Sequence, residues 1–232
     1  SDWKASDNIK LGADIDLQGQ VWTGRDFAGT FDGQGHKIYN YRINGDTSTG
    51  FFTSLSGNAS VSNLILGSSD GLAYDGTSVI TTQSSTGAVY VGGLAGKISG
   101  NATVTDVDNF AMISLGENTT IGKIYIGGLT GEYSSSSAVT RFCNHGTISN
   151  AADAAEMYIG GVIGNTSVAV VLNNCENYGN INNSGTCTAA YSNNTASGAS
   201  MTSGVIGLCS AAAQLNGCVN EGRIENTSNS VY

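Results

Sequence analysis

The stretch "YVGGLAGKI" at 90–98 carries a glycine run whose backbone N–H groups could bind phosphate, as glycine-rich loops do in nucleotide-binding proteins. The run returns with small changes at 125–131, 158–164 and 202–208. A Walker-type loop has four residues between its glycines and places Ser or Thr directly after its lysine. Here Gly92 and Gly96 are too close for that pattern, and Ile98 follows Lys97. The glycines therefore predict a structural role and no nucleotide site.

Acidic side chains near the N-terminus are the second candidate for chemistry. Asp14 and Asp16 are two residues apart and would share one strand face, and Asp32 lies in the turn "FDGQGHKI" close to His36. Several carboxylates in one place can begin the oxygen shell that Ca²⁺ prefers. We therefore predict Asp14, Asp16 and Asp32 as a candidate metal site, with calcium as the only cofactor that the sequence admits. The alternative is a solvated turn in which Asp32 accepts hydrogen bonds from its own backbone.

Two enzyme hypotheses arise from the remaining reactive side chains. Cys143 and His145 would share one strand face and could form a nucleophile pair, but no third group nearby supports that chemistry. Asp108 and Glu176, with Glu221 displaced, stand at equivalent outward positions where a glycosidase would hold its carboxylate pair. No cluster of Lys or Arg accompanies them to neutralise an acidic sugar. We predict no catalytic residue.

Tyrosine recurs at one position of the glycine runs, as Tyr90, Tyr125 and Tyr158. If these rings face outward, they form an aromatic track suited to sugar rings or to a protein partner. If they face inward, they form an aromatic stack in the core. We predict the three tyrosines as candidate ligand-binding residues and leave both orientations open at this point.

The elements that position these residues follow from composition and repeats. Only 12% of the 232 residues are charged, about half the usual share, whereas glycine occurs 33 times and proline is absent. Short Val, Ile, Leu and Tyr clusters among small polar residues indicate many short strands and tight turns. The net charge of −9 argues against nucleic acid and anionic lipid as partners. No segment reaches the ~18 apolar residues of a membrane span, so we predict no membrane insertion of this domain.

Three marker residues repeat four times along the chain at fixed separations. The second glycine of each pair is Gly93, Gly128, Gly161 or Gly204; sixteen residues later stands Asn109, Asn144, Asn177 or Asn220; and four residues further stands Ile113, Ile148, Ile181 or Ile224. The stretch from each isoleucine to the next marker glycine varies in length. Rigid and elastic spacing in alternation is typical of stacked coils with one free loop.

The fixed block predicts three short strands, which form one turn of a parallel β-helix. The glycines would take left-handed angles or allow close packing at a corner. The asparagines would form a structural ladder between coils, since neighbouring strands lie about 4.8 Å apart. Inward positions two residues before each asparagine are held by Val107, Phe142, Cys175 and Cys218. Five cysteines cannot form a closed disulfide framework, and we predict stacked thiols at Cys175 and Cys218 rather than a bridge.

The domain organisation follows from where the markers begin. Residues 1–232 form a single β-helix domain, in which 1–49 are the N-terminal cap and first coil and 50–232 are the stacked coils. Gly50 stands at a marker position, but Leu66 replaces the asparagine sixteen residues later. We predict residues 67–89 as an inserted loop or hairpin on the side of the coil, and 182–200 as a variable side loop.

Several stretches of the chain resemble GLUG-motif bacterial proteins. The opening "LGADIDLQG…W", "FAGTFDGQGHKI" and "GFFTSL…SVSNLIL" and the repeats "GGVIG…NNCENYGNI" and "SGVIGL…NGCVNEGRI" carry the resemblance, from about residue 11 to 226. Phe142 stands where the repeat usually has cysteine, and Ser203 replaces the first glycine of the last pair. The resemblance implies right-handed β-helical repeats in an adhesin-like protein that is secreted or anchored at the bacterial cell surface. It implies no shared set of catalytic residues.

We therefore predict an all-β, right-handed parallel β-helix (a solenoid) with an N-terminal cap and variable side loops. The predicted function is a non-catalytic, extracellular adhesin-like module that binds a host or environmental glycan or a surface protein. The alternatives are a carbohydrate-active enzyme, either a glycoside hydrolase or a polysaccharide lyase, and a passive structural spacer. The abrupt start at "SDWKASDNIK" leads us to expect that a leader or a preceding segment has been removed.

Overall fold

A computed structural model describes residues 3–68, 79–82, 87–116, 120–188 and 200–228 of the chain. The described residues form 27 β-strands, and the strands pair in parallel. None of the described residues belongs to a helix of the length and hydrophobicity needed to cross a lipid bilayer.

The strands follow one another in levels that wind around a common core. The N-terminal levels contain β1 (Asn8–Lys10), β2 (Ile15–Val21), β3 (Arg25–Phe27), β4 (Thr30–Asp32), β5 (Lys37–Gly45) and β6 (Ser48–Thr49). The next coil contains β7 (Phe52–Leu55), β8 (Ser60–Leu66) and β9 (Val79–Thr82). The first coil with a complete set of markers contains β10 (Ala88–Gly92), β11 (Ala95–Gly100), β12 (Thr103–Asn109) and β13 (Met112–Leu115).

Three further coils repeat this order. The second marked coil contains β14 (Thr120–Gly127), β15 (Thr130–Ser135), β16 (Val139–Asn144) and β17 (Ile148–Asn150). The third contains β18 (Asp153–Gly160), β19 (Ile163–Thr166), β20 (Val170–Asn173), β21 (Glu176–Asn177) and β22 (Ile181–Asn183). The fourth contains β23 (Ser200–Ser203), β24 (Ile206–Cys209), β25 (Ala213–Asn216), β26 (Val219–Asn220) and β27 (Ile224–Asn226).

Successive coils stack their strands into three parallel sheets. The first sheet has the order β23-β18-β14-β10-β6, and the second has the order β24-β19-β15-β11-β7-β3. The third is a 16-stranded sheet in which the row β25-β20-β16-β12-β8 and the row β9-β13-β17-β22-β27 are joined through β5. The predicted all-β parallel β-helix is confirmed by this in-register stacking.

The glycine pairs lie at corners between two strands rather than inside one strand. Gly92 ends β10 and Ala95 begins β11, so the glycine stretch that predicts a single strand contains two. In the first marked coil the fixed block from Gly93 to Ile113 holds β11, β12 and the start of β13, and β10 ends just before it. The prediction that 90–96 forms one strand is wrong. The reason is that Leu94 points into the core at the corner, which lets the chain turn between two sheets while it stays buried.

The marker glycines are required by the asparagine ladder. A Cβ added to Gly93 would lie 2.5 Å from Cγ of Asn109, and a Cβ added to Gly128 would lie 2.5 Å from Cγ of Asn144. Both distances are far below van der Waals contact, so each asparagine side chain occupies the space that its glycine leaves open. This contact gives the physical reason why the two marker types recur together at a fixed separation.

The asparagine amides form a continuous hydrogen-bonded column through the core. Asn109 Nδ2 donates to Asn144 Oδ1 (2.9 Å), Asn144 Nδ2 to Asn177 Oδ1 (2.7 Å), and Asn177 Nδ2 to Asn220 Oδ1 (2.7 Å). Each amide also donates its second hydrogen within its own coil, as Asn144 does to the carbonyl of Gly146. Asn109 Oδ1 is buried without a partner, because Leu66 occupies the equivalent position one coil earlier.

Left-handed backbone angles occur three residues before the ladder asparagines rather than at the asparagines. In successive coils the position is held by Asn63 (φ 52°), Asp106 (φ 54°), Arg141 (φ 50°), Asn174 (φ 51°) and Gly217 (φ 64°). This residue has no partner in the strand registers, so it forms a bulge that bends the third sheet. Of the two roles predicted for the marker glycines, close packing at a corner is the one that the structure confirms.

The core is continuous, but its composition changes along the axis. Val107, Phe142 and Cys175 are fully buried, as the inward positions of the repeat predict. Cys175 and Cys218 are free thiols. Burial raises the pKa of the Cys175 thiol to about 12. The N-terminal levels are filled instead by an aromatic cluster, whose members are Trp3, Trp22, Phe27, Phe31, Tyr41, Phe51 and Phe52.

Three predicted segments, 1–49, 67–89 and 182–200, can be compared with the residues that the structure describes. Residues 1–49 hold more than one level, since β1 pairs with β4 and β4 in turn pairs with β8. Within 67–89, residues 79–82 form β9, which pairs with β5 and β13, so this part is a strand of the coil and not a side insertion. Residues 69–78, 83–86 and 189–199 lie outside the described residues, and with them most of the variable loop 182–200.

Candidate functional site

The three candidate tyrosines lie side by side on the outer face of the first sheet. Tyr90 pairs in register with Tyr125, and Tyr125 with Tyr158, while the flanking residues Val89 and Val91 are fully buried. Because successive side chains of a strand point to opposite faces, the tyrosines point outward. This geometry decides between the two orientations that the sequence leaves open.

The tyrosine rings are stacked on one another along the solenoid axis. The centroids of Tyr90 and Tyr125 are 5.0 Å apart with an interplanar angle of 10°, and those of Tyr125 and Tyr158 are 5.4 Å apart with an angle of 12°. The free face of Tyr90 is covered by Lys97, whose Nζ lies 3.8 Å from the ring centroid. Both faces of Tyr90 and Tyr125 are therefore occupied, and these two partly exposed residues present ring edges and hydroxyl groups outward, whereas Tyr158 is buried.

Charged side chains flank the tyrosine column on two sides. Lys123 Nζ contacts Glu156 Oε2 at 2.9 Å, and Lys97 Nζ contacts Glu132 Oε2 at 3.3 Å. The hydrogen bond to Glu156 raises the pKa of Lys123. Burial and the Glu156 carboxylate raise the pKa of Tyr158 to about 12, and the Tyr158 hydroxyl donates to Glu156 Oε2 (3.2 Å). The column is thus a fixed, neutral aromatic strip bordered by paired charges.

A second group of functional side chains lies on the outer face of the third sheet. Asp108 and Cys143 are register partners on β12 and β16, and His145 follows two residues after Cys143. His145 Nε2 lies 3.6 Å from Asp108 Oδ1, and Arg141 Nη2 lies 3.3 Å from Asp108 Oδ2. Arg141 also forms an ion pair with Asp106 through its Nε. We call Asp106, Asp108, Arg141, Cys143 and His145 the β12–β16 cluster.

The left-handed residues of the third sheet build this cluster. Asp106 and Arg141 occupy the left-handed position of adjacent coils, and there the bend projects their side chains outward and toward each other. The left-handed region is costly for Arg141, whereas Asp, Asn and Gly, which hold this position in other coils, tolerate it better. A groove of about 520 Å³ opens beside the ion pair and is lined in part by Gln34 and Asn63.

In this cluster the pKa of the Asp108 carboxyl group is lowered and the pKa of the Cys143 thiol is raised. Burial alone would raise the pKa of Asp108, but the neighbouring His145 imidazole and Arg141 guanidinium lower it below the ordinary value. Burial, together with the carboxylates of Asp108 and Glu176, raises the pKa of the Cys143 thiol to about 12. A cysteine nucleophile needs a lowered pKa, so the geometry gives no support to a Cys143–His145 nucleophile pair.

Aromatic rings fix the imidazole of the cluster from both sides. The His145 ring is stacked on Phe110 at 4.2 Å with an interplanar angle of 3°, and on Tyr178 at 5.2 Å with an angle of 10°. The Tyr178 hydroxyl donates to Glu176 Oε2 at 2.7 Å, and the Cys143 thiol lies 3.6 Å from the same oxygen. Asp108 and Glu176 are therefore both held by neighbours, and the pKa of Asp108 is lowered, whereas the general acid of a glycosidase needs a raised pKa.

The predicted calcium ligands each have separate partners. Asp14 Oδ1 lies 3.1 Å from His36 Nδ1, Asp16 Oδ1 accepts from Asn40 Nδ2 (2.9 Å), and Asp32 Oδ1 accepts from Asn63 Nδ2 (3.0 Å). Among the residues that the structure describes, these carboxylates do not belong to any group of three potential ligand atoms within 4.8 Å of one another. The hydrogen bond from Asn63 lowers the pKa of Asp32, and the geometry adds no support for calcium.

Comparison with protein-family models, with curated proteins and with solved structures finds no match to this chain. Its function must therefore be argued from the two outer faces themselves.

Sequence reasoning missed part of what these faces contain. Arg141 and Asp106 were not among the predicted site residues, although the 35-residue separation of their coils is the separation of the ladder residues Asn109 and Asn144. A second ladder was also missed, in which Asn150 Nδ2 donates to Asn183 Oδ1 at 2.9 Å. The signal was present, because an asparagine stands six residues after Asn144 and again six residues after Asn177.

Proposed function

We propose that this chain is a non-catalytic, adhesin-like module of an extracellular or surface-anchored bacterial protein, and that the tyrosine column binds its ligand. The observation that carries this proposal is the stack of Tyr90, Tyr125 and Tyr158, in which Tyr90 and Tyr125 are partly exposed. Tyrosine supplies large contact area at low cost in conformational entropy, and here the stacking has already fixed the rings. The similarity to GLUG-motif proteins supports the extracellular location.

The geometry of the column favours a protein ligand over a glycan. Sugar recognition by tyrosine uses the face of the ring, and these faces are covered by neighbouring rings and by Lys97. Ring edges, hydroxyl groups and bordering charges such as Lys123 and Glu132 instead suit a flat protein surface with hydrogen-bonding groups. We therefore propose a surface protein as the ligand, with a glycan as the competing outcome of the test.

The experiment is a binding screen with one disruptive and one matched variant. The labelled chain is applied to an array of purified extracellular proteins and, in parallel, to a glycan array. Tyr125→Ser removes the central ring, and we expect at least a tenfold loss of affinity for the protein hit. Tyr39→Ser removes a part-buried tyrosine on β5, outside the column, and we expect affinity within about twofold of the wild type.

Specific outcomes would overturn this proposal. Binding that survives Tyr125→Ser but is lost in Tyr39→Ser would place the ligand elsewhere. Hits on the glycan array alone would replace the protein ligand with a sugar. The absence of any hit on both arrays would favour the passive spacer.

One observation favours the carbohydrate-active enzyme as a second candidate. The groove of about 520 Å³ is lined by Asp106, Asp108 and Arg141, which places acidic and basic groups beside a space that a sugar could enter. Incubation with a panel of neutral and acidic polysaccharides, followed by assay of reducing ends and unsaturated products, tests this function. Steady turnover that is lost in Asp108→Asn would replace the adhesin proposal.

A further inference from the structure

The β12–β16 cluster brings together three types of metal ligand that the proposed function does not use. The carboxylate of Asp108, the thiol of Cys143 and the imidazole of His145 have ligand atoms that all lie within 4.8 Å of one another. In the described part of the chain no other set of three His, Cys, Asp or Glu side chains meets this condition. Asp108 and Cys143 are register partners on β12 and β16, and His145 follows directly after β16 with its backbone N–H bonded to the carbonyl of Asn109, so the backbone fixes their separation.

The distances in the cluster match those of a tetrahedral ion. Bonds of about 2.0–2.3 Å from zinc to oxygen, nitrogen and sulfur place neighbouring ligand atoms roughly 3.3–3.7 Å apart. His145 Nε2 and Asp108 Oδ1 are 3.6 Å apart, which is too long for a hydrogen bond and suitable for two ligands of one ion. The Cys143 thiol faces Glu176 Oε2 at 3.6 Å, but Glu176 does not belong to the group of ligand atoms that lie within 4.8 Å of one another.

Surrounding residues orient the ligands, as the outer shell of a metal site does. Phe110 and Tyr178 hold the His145 ring between them and direct its Nε2 edge toward Asp108. Arg141 engages Asp108 through Oδ2 and leaves Oδ1 facing the imidazole. Tyr178 also donates to Glu176, the carboxylate that the Cys143 thiol faces. This preorganisation reduces the cost of assembling the site.

We propose that Asp108, Cys143 and His145 bind a divalent transition-metal ion of the Zn²⁺ type, with solvent in the fourth position. Sulfur and nitrogen ligands select such an ion over Ca²⁺ and Mg²⁺, which require oxygen shells. Coordination replaces the thiol proton of Cys143, which leaves to solvent. The site joins two coils, through β12 and the β16 segment, so the ion would also stabilise the folded chain.

The test is a metal titration of the full chain after removal of bound metal with a chelator. Calorimetry with Zn²⁺ should show one saturable site per chain, and Zn²⁺ should raise the melting temperature. Co²⁺ should give the visible bands of a tetrahedral site together with a thiolate-to-cobalt charge-transfer band in the near ultraviolet. Ca²⁺ at the same concentration should produce none of these effects.

Variants identify the ligands and separate binding from folding. Cys143→Ser should abolish the charge-transfer band, and Cys143→Ser and His145→Gln should each lower the Zn²⁺ affinity at least about tenfold. The chain contains one other histidine, and His36→Gln and Cys209→Ser are therefore matched controls that should leave both readouts unchanged.

Two results would overturn the site. The first is a wild-type chain that binds neither Zn²⁺ nor Co²⁺ saturably. The second is binding that persists in Cys143→Ser and His145→Gln but is lost in a control. The wild-type cobalt spectrum requires no variant, so a substitution that prevents folding cannot leave the proposal untested. The outcome is also independent of the tyrosine column and its ligand.

Discussion

The N-terminal levels and the marked coils close the same solenoid by different means. Between residues 3 and 66 the core is filled by aromatic rings, such as Phe27, Phe52 and Trp3, whose centroids lie 5.2–6.0 Å apart. From β10 onward the core instead contains aliphatic side chains and the hydrogen-bonded column of asparagines that begins at Asn109.

The difference shows which type of packing requires a repeat. A hydrogen-bonded amide column is directional, so every coil must place an asparagine and a facing glycine at the same height. Aromatic packing has broad geometric tolerance, so the N-terminal levels can vary in length and residue order. The two regions meet where Leu66 faces Asn109, and there the last amide oxygen of the ladder is left without a partner.

The largest expected effect tests whether the marked coils need their glycines. Gly128→Ala would place a Cβ 2.3 Å from the backbone oxygen of Gly161, and neither strand can move without breaking the stack. We expect a loss of about 5 kcal/mol of unfolding free energy, or no folded protein. Urea unfolding followed by circular dichroism measures it. Gly12→Ala in the N-terminal levels, where a Cβ meets nothing within 4 Å, should change stability by less than about 1 kcal/mol.

Removal of an aromatic side chain tests the N-terminal levels. Phe52 is fully buried and stacks on Phe27, so Phe52→Ala leaves a cavity in a non-periodic core. We expect a loss of about 4 kcal/mol in urea unfolding. If the loss were under about 1 kcal/mol, aromatic packing would not be what closes these levels.

The ladder itself should cost somewhat less to interrupt. Asn144→Ala removes the acceptor of Asn109 and the donor to Asn177 and leaves buried polar groups unpaired. We expect a loss of about 3 kcal/mol. Asn220→Ala at the exposed end of the ladder is the matched control and should cost about 1 kcal/mol. Equal losses in the two variants would contradict a larger contribution from the buried part of the column than from its exposed end.

A single substitution at the boundary between the two regions would extend the asparagine ladder by one coil. Leu66→Asn would place a donor opposite the unpaired Asn109 oxygen, and Gly50 already stands at the marker position of that coil. Leu64→Asn buries the same amide on the same strand without a ladder partner. We expect both variants to be destabilised, Leu64→Asn by about 2 kcal/mol more. Equal losses in urea unfolding would contradict a ladder that can be extended.

The smallest effect concerns pH and is confined to the marked coils, which contain the buried thiol of Cys175. Its pKa is raised from 9.0 to about 12 by burial, so an unfolded chain ionises this thiol before the folded chain does. The stability that results is complete below pH 9 and is lost as the pH rises toward 12. When the pH is raised from 8 to 10, we expect the free energy of unfolding of Cys175→Ala to fall by about 1 kcal/mol less than that of the wild type. Parallel slopes would contradict this thiol as the cause.

Much of the fold could be predicted because the ladder imposes its period on the sequence. The spacing from Gly93 to Asn109 predicted stacked coils, and the contact between these two residues now explains that spacing. The left-handed position could not be predicted, since its occupants Asp106, Arg141 and Gly217 share no side-chain property. Strand β9 was missed because its coil lacks the asparagine marker.

The candidate sites were only partly predictable for a similar reason. The alternation of Val89, Tyr90 and Val91 could have indicated the outward tyrosine column, but the stacking that covers the ring faces depends on three-dimensional register. The β12–β16 cluster depends on the pairing of Asp108 with Cys143, which are far apart in the chain. Each residue alone resembles an ordinary surface residue, and only the stacking of the coils places the side chains close enough to bind one ion.

The left-handed position of the third sheet has a consequence for how such a chain diversifies. Its conformation is the same in five successive turns, yet amide, carboxylate, guanidinium and glycine all occupy it. A mutation there exchanges the chemical group offered to solvent while the strands on either side keep their pairing. A solenoid with one such variable bulge position per turn can acquire a new surface specificity without changes to its core.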